Sequence, residues 1–506
     1  MDLNTDKFVE LNAKKLVSQA VKQARDFARE KPLVAEMILK QALRCDPENI
    51  DALCLLGLVL HHIKKNIECI EVLQVAIELN PDNPDNYNNV SLAYGGLEQF
   101  DKAIEYSKKA VEIDPSNSIF HNNLAIHYRQ SGKSEEAIES LRRALSLKET
   151  APIWANLGGI YGDKKNLVEA EKCFLRAIQV DPDCAGAHVD LAFTYHLMGR
   201  YQEGFKEYEW RTEHFGQMKL YKDSYDQKKR WISPDQDIKN KTVILYSEQG
   251  LGDFIMALRW IPLLKERGVR EIIIHCSPVV NSLALMAGAD CVVNRDIGTN
   301  QGEEFPEYDL QCCILSLPYL LQYFDICGKP YLDIPPTDIR TKYPSTFNIG
   351  LCWAGSPAHP GDAFRSVYLR QFRPLSEIPG VKLFSLQKDI RPRMRIGSKE
   401  AIDLTEGCDG MQLVDMSSHM STFKDTSSVV GGLDLVISVD TAIVHACGAV
   451  GAKCWALIPH NPDWRWGVDG ETTVWYDSVR LIRQKERGKW NEVIEGVAQQ
   501  IKEAQG

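Results

Sequence analysis

Five short strings decide how the first part of the chain is read: ALRCDP at 42–47, AIELNP at 76–81, AVEIDP at 110–115, ALSLKE at 144–149 and AIQVDP at 177–182. They recur at steps of 34, 34, 34 and 33 residues, and a fixed period of this length marks a stacked-repeat architecture. Further positions hold the same register. Small residues recur at Gly57, Ser91, Ala125, Gly158 and Ala192, and aromatics at Tyr94, Tyr128, Tyr161 and Tyr195. Small side chains let the two helices of a hairpin approach, and tyrosines fill the gaps between hairpins. The proline, present in four of the five strings, ends the second helix, because it cannot continue the hydrogen-bond ladder and restrains the residue before it. The first two-fifths of the chain therefore reads as an α solenoid.

This pattern resembles the tetratricopeptide repeat over about residues 15–212, and the solenoid domain is set at 1–215. Asn89, Asn123 and Asn156, followed by Asp190, share one repeat site on the first helix of each hairpin. In such solenoids first helices line the concave side. Amides both donate and accept, so a ladder of them suits an extended peptide backbone. It is similar to the asparagine ladder of the protein O-linked N-acetylglucosamine transferases, which also join these repeats to a glycosyltransferase module. Ordinary solvated helix residues are the alternative reading.

The register is lost after residue 215, and 216–241 reads as a polar linker. KTVILYSEQGLGDFIMALRWIPLLKERG at 241–268 then contains a buried strand, a tight turn Gly250-Leu251-Gly252-Asp253 and an apolar-periodic helix over 254–267. A strand at 271–276 completes a strand-loop-helix-strand unit of the kind that builds parallel sheets. A second such series starts near Phe347, with strands at 348–353, 381–386, 433–439 and 454–458 and a helix at 369–378. Two Rossmann-like α/β lobes follow, at 242–343 and 344–506. Taken alone, Asp253 reads first as a capping aspartate favoured by the helix dipole.

Four segments carry a second resemblance: EQGLGDFIMALRWIPLL (248–264), GLCWAGSPAH with Arg365-Ser366 and SLQKD (350–389), DLVISVDTAIVHACGAVG (434–451), and PDWRW with VRLIRQ (462–484). Together they look like the glycosyltransferases related to the lipopolysaccharide heptosyltransferases, in the subgroup with tetratricopeptide repeats ahead of the module. The resemblance implies a GT-B fold, with a nucleotide-sugar donor between the lobes. It implies Asp253 as general base for an acceptor hydroxyl. The donor-binding set it implies is Gly250, Gly252, Trp353, Gly355, Arg365, Gln387, Lys388, Asp440, Thr441, Ala442 and His445. Backbone N–H groups at Asp440-Thr441-Ala442 would meet the diphosphate, and Arg365 would neutralise charge on the leaving group. Asn89, Asn123, Asn156 and Asp190 would bind the acceptor. Departures concern the donor: Pro262 comes nine residues after Asp253 instead of six, Ala442 replaces a common glycine, and Arg365 a common lysine. The Asp463-Trp464-Arg465-Trp466 segment reads equally as a stacking platform or as lobe-closing structure.

Composition bounds the rest. A net charge of -10 argues against a general nucleic-acid surface. No apolar run approaches the ~20 residues of a bilayer span, and the N-terminus lacks a signal-peptide core. Fourteen cysteines without a CxxC pair read as reduced thiols in a cytoplasmic protein. The lobes hold no DxD metal motif, so no metal and no resident cofactor are expected; the nucleotide sugar enters as substrate. The resulting expectation is a metal-independent glycosyltransferase of hexosyl or heptosyl type, acting on a protein or glycan acceptor, with protein partners in the repeat groove. Two alternatives stand beside it. One is a catalytically silent scaffold; the other is an enzyme acting on a glycan or lipid carrier whose repeats only dock a partner.

Overall fold

The computed structural model describes residues 3–214, 226–294, 306–357, 359, 361–388, 393–394, 401–402, 405, 408 and 410–505. The chain divides into two compact units, Met1–Ala187 with Met394–Ala401, and His188–Arg393 with Ile402–Gly506.

In the first unit, helices Leu3–Phe27 and Pro32–Cys45 precede four hairpins: Ile50–His62 with Asn66–Leu79, Pro84–Gly96 with Phe100–Ile113, Ser118–Gln130 with Ser134–Leu147, and Ala151–Asp163 with Leu167–Val180. Local chemistry explains the punctuation. Asn49, Asn83 and Asn117 cap three first helices, their side chains accepting the N–H groups of Ala52, Asp85 and Ile119, which satisfies donors a helix start leaves orphaned. Second helices end at Cys45, Leu79, Ile113 and Val180, two residues before each proline. Between the helices of each hairpin one residue turns left-handed: Lys64, Glu98, Gly132 and Lys165. The small-residue register also has a steric cause. A Cβ on Gly57 would lie 2.4 Å from Leu73, and one on Gly158 would lie 2.7 Å from Phe174, each on the partner helix.

The second unit holds two sheets. Strands β1 (Thr242–Tyr246), β2 (Glu271–Cys276), β3 (Cys291–Asn294) and β4 (Leu310–Cys313) form one, in the order β3-β2-β1-β4. Strands β5 (Phe347–Cys352), β6 (Val381–Ser385), β9 (Leu413–Asp415), β10 (Leu435–Val439), β11 (Cys454–Ile458) and β12 (Val479–Arg483) form the other, in the order β12-β11-β10-β5-β6-β9. Both are parallel throughout. Strands β7 (Arg393–Met394) and β8 (Ala401–Ile402) pair only with each other. β1 and β10 are buried along their whole length, as expected for strands covered on both faces. Val497 and Ile501 of the C-terminal helix Trp490–Gln505 pack on one face of the larger sheet.

Two helices read as continuous are interrupted. The 254–267 stretch is Leu251–Ala257, a 3-10 turn and Ile261–Glu266, with Pro262 in the first turn of the last piece. The 369–378 stretch is a 3-10 turn followed by Arg373–Ser376, again with proline at the restart. Proline removes the N–H that would have bridged each break.

The repeat register continues past the point where packing changes. From His188 onward the chain belongs with the sheets, because Phe205 and Tyr208 of helix Tyr201–Tyr208 enter the core that holds Trp260 and Trp464. The described part of the 216–241 stretch also packs. Trp231 is buried, and its N–H donates to the Gln311 carbonyl on β4 at 2.8 Å.

Candidate functional site

Each sheet reverses its strand order beside its first strand, between β1 and β4 in one and between β5 and β10 in the other. Ligands of parallel α/β sheets bind outside the carboxyl strand ends at such points. In the larger sheet Trp353 and Gly355 follow β5, while Asp440, Thr441 and Ala442 follow β10. Arg365, at the end of the short helix Asp362–Arg365, spans the two. Its Nη1 donates to the Asp440 carbonyl at 2.9 Å, and its Nε lies 3.5 Å from Asp362 Oδ1. Gly355 makes room for this reach, since a Cβ there would stand 2.6 Å from Arg365 Nη2.

Thr441 caps the helix Ala442–Val450, its Oγ1 accepting the Ile443 N–H at 3.3 Å and lying 3.1 Å from Ser438 Oγ. The positive end of that helix and its first N–H groups therefore open beside Asp440 and Arg365. Burial pushes the Asp440 carboxyl up to about 6, Asp463 adds to the rise, and Arg365 opposes it.

The other side of the site comes from the smaller sheet. β1 runs into the turn that carries Gly250, Gly252 and Asp253. Asp253 Oδ2 accepts the Gly250 N–H at 2.9 Å, and Oδ1 accepts from Arg465 Nη2. Burial raises the Asp253 pKa, and the Arg465 charge holds it back. Helix Leu251–Ala257 packs directly on helix Ala442–Val450. Gly252 is the point of closest approach: a Cβ there would lie 2.6 Å from His445 Cδ2 and 3.4 Å from Ala442 Cα. His445 is buried, its Nδ1 is 2.8 Å from the Tyr476 hydroxyl, and burial, Arg465 and Arg259 keep its pKa far below the usual range. It is therefore neutral at pH 7.

Three expected donor residues do other work. Trp353 lies in the core, and its carbonyl accepts the Val367 N–H. The Gln387 amide brackets Ala354, accepting its N–H at 3.0 Å and donating to its carbonyl at 3.2 Å, so it braces the loop after β5. Lys388 spends its ammonium on the Met420 and Ser421 carbonyls. Asp389 of the same segment lies outside the described residues.

The Asp463-Trp464-Arg465-Trp466 segment packs into the core of the second unit. Trp464 and Trp466 are buried, and the Arg465 guanidinium sits 4.1 Å from the Trp464 ring centroid while binding Asp463 at 2.8 Å. His359 is a residue that sequence reasoning did not single out. Burial lowers its pKa first, Arg365 lowers it further, and Asp463 and Asp253 pull it upward, so it stands in the field of all three. Its only signal was its place in the small-residue loop after β5. Among the described residues, no group of three or more His, Cys, Asp or Glu is placed to hold a metal ion.

The asparagines of the first unit bond between repeats. Asn123 Nδ2 donates to Asn88 Oδ1, and Asn156 Nδ2 to Asn122 Oδ1, both at 2.8 Å. Asn89 is half-buried, and Asp190 is exposed within the second unit. Part of the expected peptide-binding ladder is thus committed to holding repeats in register.

The repeat geometry and the sheets define a protein with a tetratricopeptide-type solenoid joined to an α/β unit of parallel sheets. Residues 50–83, 84–117, 106–139 and 151–184 match the tetratricopeptide repeat family. A 61-residue stretch is 38% identical to human Protein O-mannosyl-transferase TMTC3, covering 12% of this chain and 7% of that one. The chain is also 24% identical over 301 residues to Protein FlbA of Caulobacter vibrioides, covering 54% of this chain and 48% of that one. The chain spans less than half the length of these curated relatives. Among solved structures it is similar to TTC0263, a tetratricopeptide protein of Thermus thermophilus, at 20% identity and TM-score 0.32, over 35% of this chain and 98% of that one. It is also similar to pilF of Pseudomonas aeruginosa, at 15% identity and TM-score 0.35, over 42% and 100%. No described helix is long and apolar enough to cross a membrane.

Proposed function

We propose that the chain is a metal-independent glycosyltransferase with a GT-B module, its lobes at 242–343 and 344–506, joined by the 216–241 linker to a solenoid (1–215) that selects the acceptor. The observation that carries this reading is the close packing of the Gly252-Asp253 turn on the start of helix Ala442–Val450, where Arg365 holds the Asp440 carbonyl at the carboxyl ends of two parallel sheets. A nucleoside-diphosphate sugar would lay its diphosphate at the start of helix Ala442–Val450, within reach of Arg365. Asp253, freed from Arg465, would take the acceptor hydroxyl proton as that oxygen attacks the anomeric carbon and the nucleoside diphosphate departs. Arg365 offsets the charge that builds on the leaving group. No resident cofactor is needed. The name of the O-mannosyl-transferase relative agrees with sugar transfer, and the repeats agree with a protein acceptor or partner.

One observation favours a catalytically silent scaffold instead: the Asp253 carboxylate is already occupied by Arg465 and the Gly250 N–H. Donor hydrolysis measured over a panel of nucleotide sugars separates the two readings. Turnover that Asp253→Asn abolishes, with donor affinity kept, supports the enzyme. Binding without turnover for every donor supports the scaffold.

A further inference from the structure

A second cavity of the same unit, about 560 Å³, lies apart from the residues just described. The segment Gln227–Ile232, the ends of β1 and β4, and the helical residues His188 to Glu213 enclose it. None of Asp253, Arg365, Asp440 or Arg465 lines it. Its size is that of a ligand site, a range of about 300–1,000 Å³.

Several of its side chains are held in place before any ligand arrives. The His188 ring stacks on Trp210, centroids 4.1 Å apart and planes 8° apart, while its Nδ1 lies 2.5 Å from Glu207 Oε2. Gln311 is buried on β4; its Nε2 donates to the Asp226 carbonyl at 2.6 Å, and its Oε1 has no hydrogen-bond partner among the described residues. That oxygen has almost no accessible surface and so braces the wall without facing a ligand. Reactive chemistry is not what the wall offers. Cys312 and Cys313 line the cavity, but burial pushes both thiols far up, and they remain protonated.

The charges decide the ligand class. Glu207, Glu209 and Glu213 disfavour an anion such as a phosphate; Glu209 is already paired with Arg211 at 2.8 Å, and Lys206 and Arg230 disfavour a polyamine. The lining combines donors and acceptors with the half-buried rings of Trp210 and Tyr319. Groups that donate and accept at once, presented with a flat C–H face, meet that lining, and sugar hydroxyls on a pyranose ring have that form. We propose that this cavity is a non-catalytic binding site for a neutral oligosaccharide of about two or three units. The proposal stands independently of the glycosyltransferase reading.

Titration calorimetry on the full chain with maltotriose, chitotriose and mannotriose, with spermidine and inorganic phosphate alongside, tests it. Tryptophan fluorescence gives a second readout, because Trp210 and Trp231 line the cavity. At least one trisaccharide is expected to bind with one site per chain. Trp210→Ala and Tyr319→Ala are each expected to weaken it about tenfold, with thermal unfolding showing that each variant is folded. Asp253→Asn is expected to leave the affinity unchanged. The proposal is overturned if no trisaccharide binds at millimolar concentration, if spermidine or phosphate binds in its place, or if both cavity variants bind as the parent does. Loss of binding in Asp253→Asn alone would assign the sugar to the Asp253 site and also overturn it.

Discussion

Arg465 places its guanidinium on the carboxylate of Asp253, 212 residues earlier in the chain, while also holding Asp463. One buried cation therefore serves two carboxylates, one from the turn after β1 and one from its own segment. Removing a single partner of a buried pair leaves an uncompensated charge, which costs about 3–5 kcal/mol. Arg465→Met is expected to lose that much stability in urea unfolding, and Arg465→Met with Asp253→Leu to regain part of it. Additive losses in the double variant would show that the pair is not coupled.

Asp440 gives stability a pH dependence of definite sign. Its folded pKa, raised to about 6, stands above the value of 3.8 for an unperturbed aspartate, so the native state binds the extra proton. Stability is then highest below pH 4 for this group and falls as the pH rises towards 6, by roughly 2–3 kcal/mol. Asp440→Asn is expected to remove that decline. Unfolding midpoints of parent and variant measured from pH 4 to 7 check it, and parallel curves would contradict it.

The left-handed hairpin residues are a separate reservoir. Lys64 (φ 61), Glu98 (φ 58) and Lys165 (φ 58) occupy the position that Gly132 fills in the third hairpin. A side chain in this conformation costs about 1–2 kcal/mol, which glycine avoids. Each of Lys64→Gly, Glu98→Gly and Lys165→Gly is expected to stabilise the repeats by about 0.5–1 kcal/mol after the entropic cost of glycine in the unfolded chain. Chemical denaturation of the three variants measures it.

For the asparagines, a double-mutant cycle on Asn122→Ala and Asn156→Ala is expected to give a coupling of about 0.5–1.5 kcal/mol, from the hydrogen bond between them. Zero coupling would return Asn156 wholly to the solvent or to a ligand.

Arg211 and Glu248 form a bidentate buried pair at 2.8 and 2.7 Å, completed by Ser316 Oγ at 2.9 Å. Glu248→Ala is expected to destabilise the second unit by about 3–5 kcal/mol, read as a lowered unfolding midpoint. A change under about 1 kcal/mol would mean that solvent reaches the Arg211 charge.

The sequence by itself determined what local rules govern. The solenoid is legible because the repeats restate the same steric demands: a small residue such as Gly57 or Gly158 facing Leu73 or Phe174, and a proline after every second helix but Ser134–Leu147. The β1, β2, β5, β6, β10 and β11 strands were legible because buried parallel strands are continuous apolar runs. Asp253 and Asp440 could be singled out because each lies at the passage from a strand to the helix that follows it, whereas Arg365 was singled out only by the family resemblance. Only tertiary structure decided the rest. Arg465 and Asp253 meet through packing between two sheets, and no period or spacing encodes a contact across 212 residues. Gln387 looks as suitable for a ligand as for Ala354 until the loop after β5 is folded over it. The end of the solenoid as a packing unit was hidden for the same reason. Helix Tyr201–Tyr208 keeps the repeat's letters, but Phe205 and Tyr208 are buried by Trp260 and Trp464, which lie far along the chain.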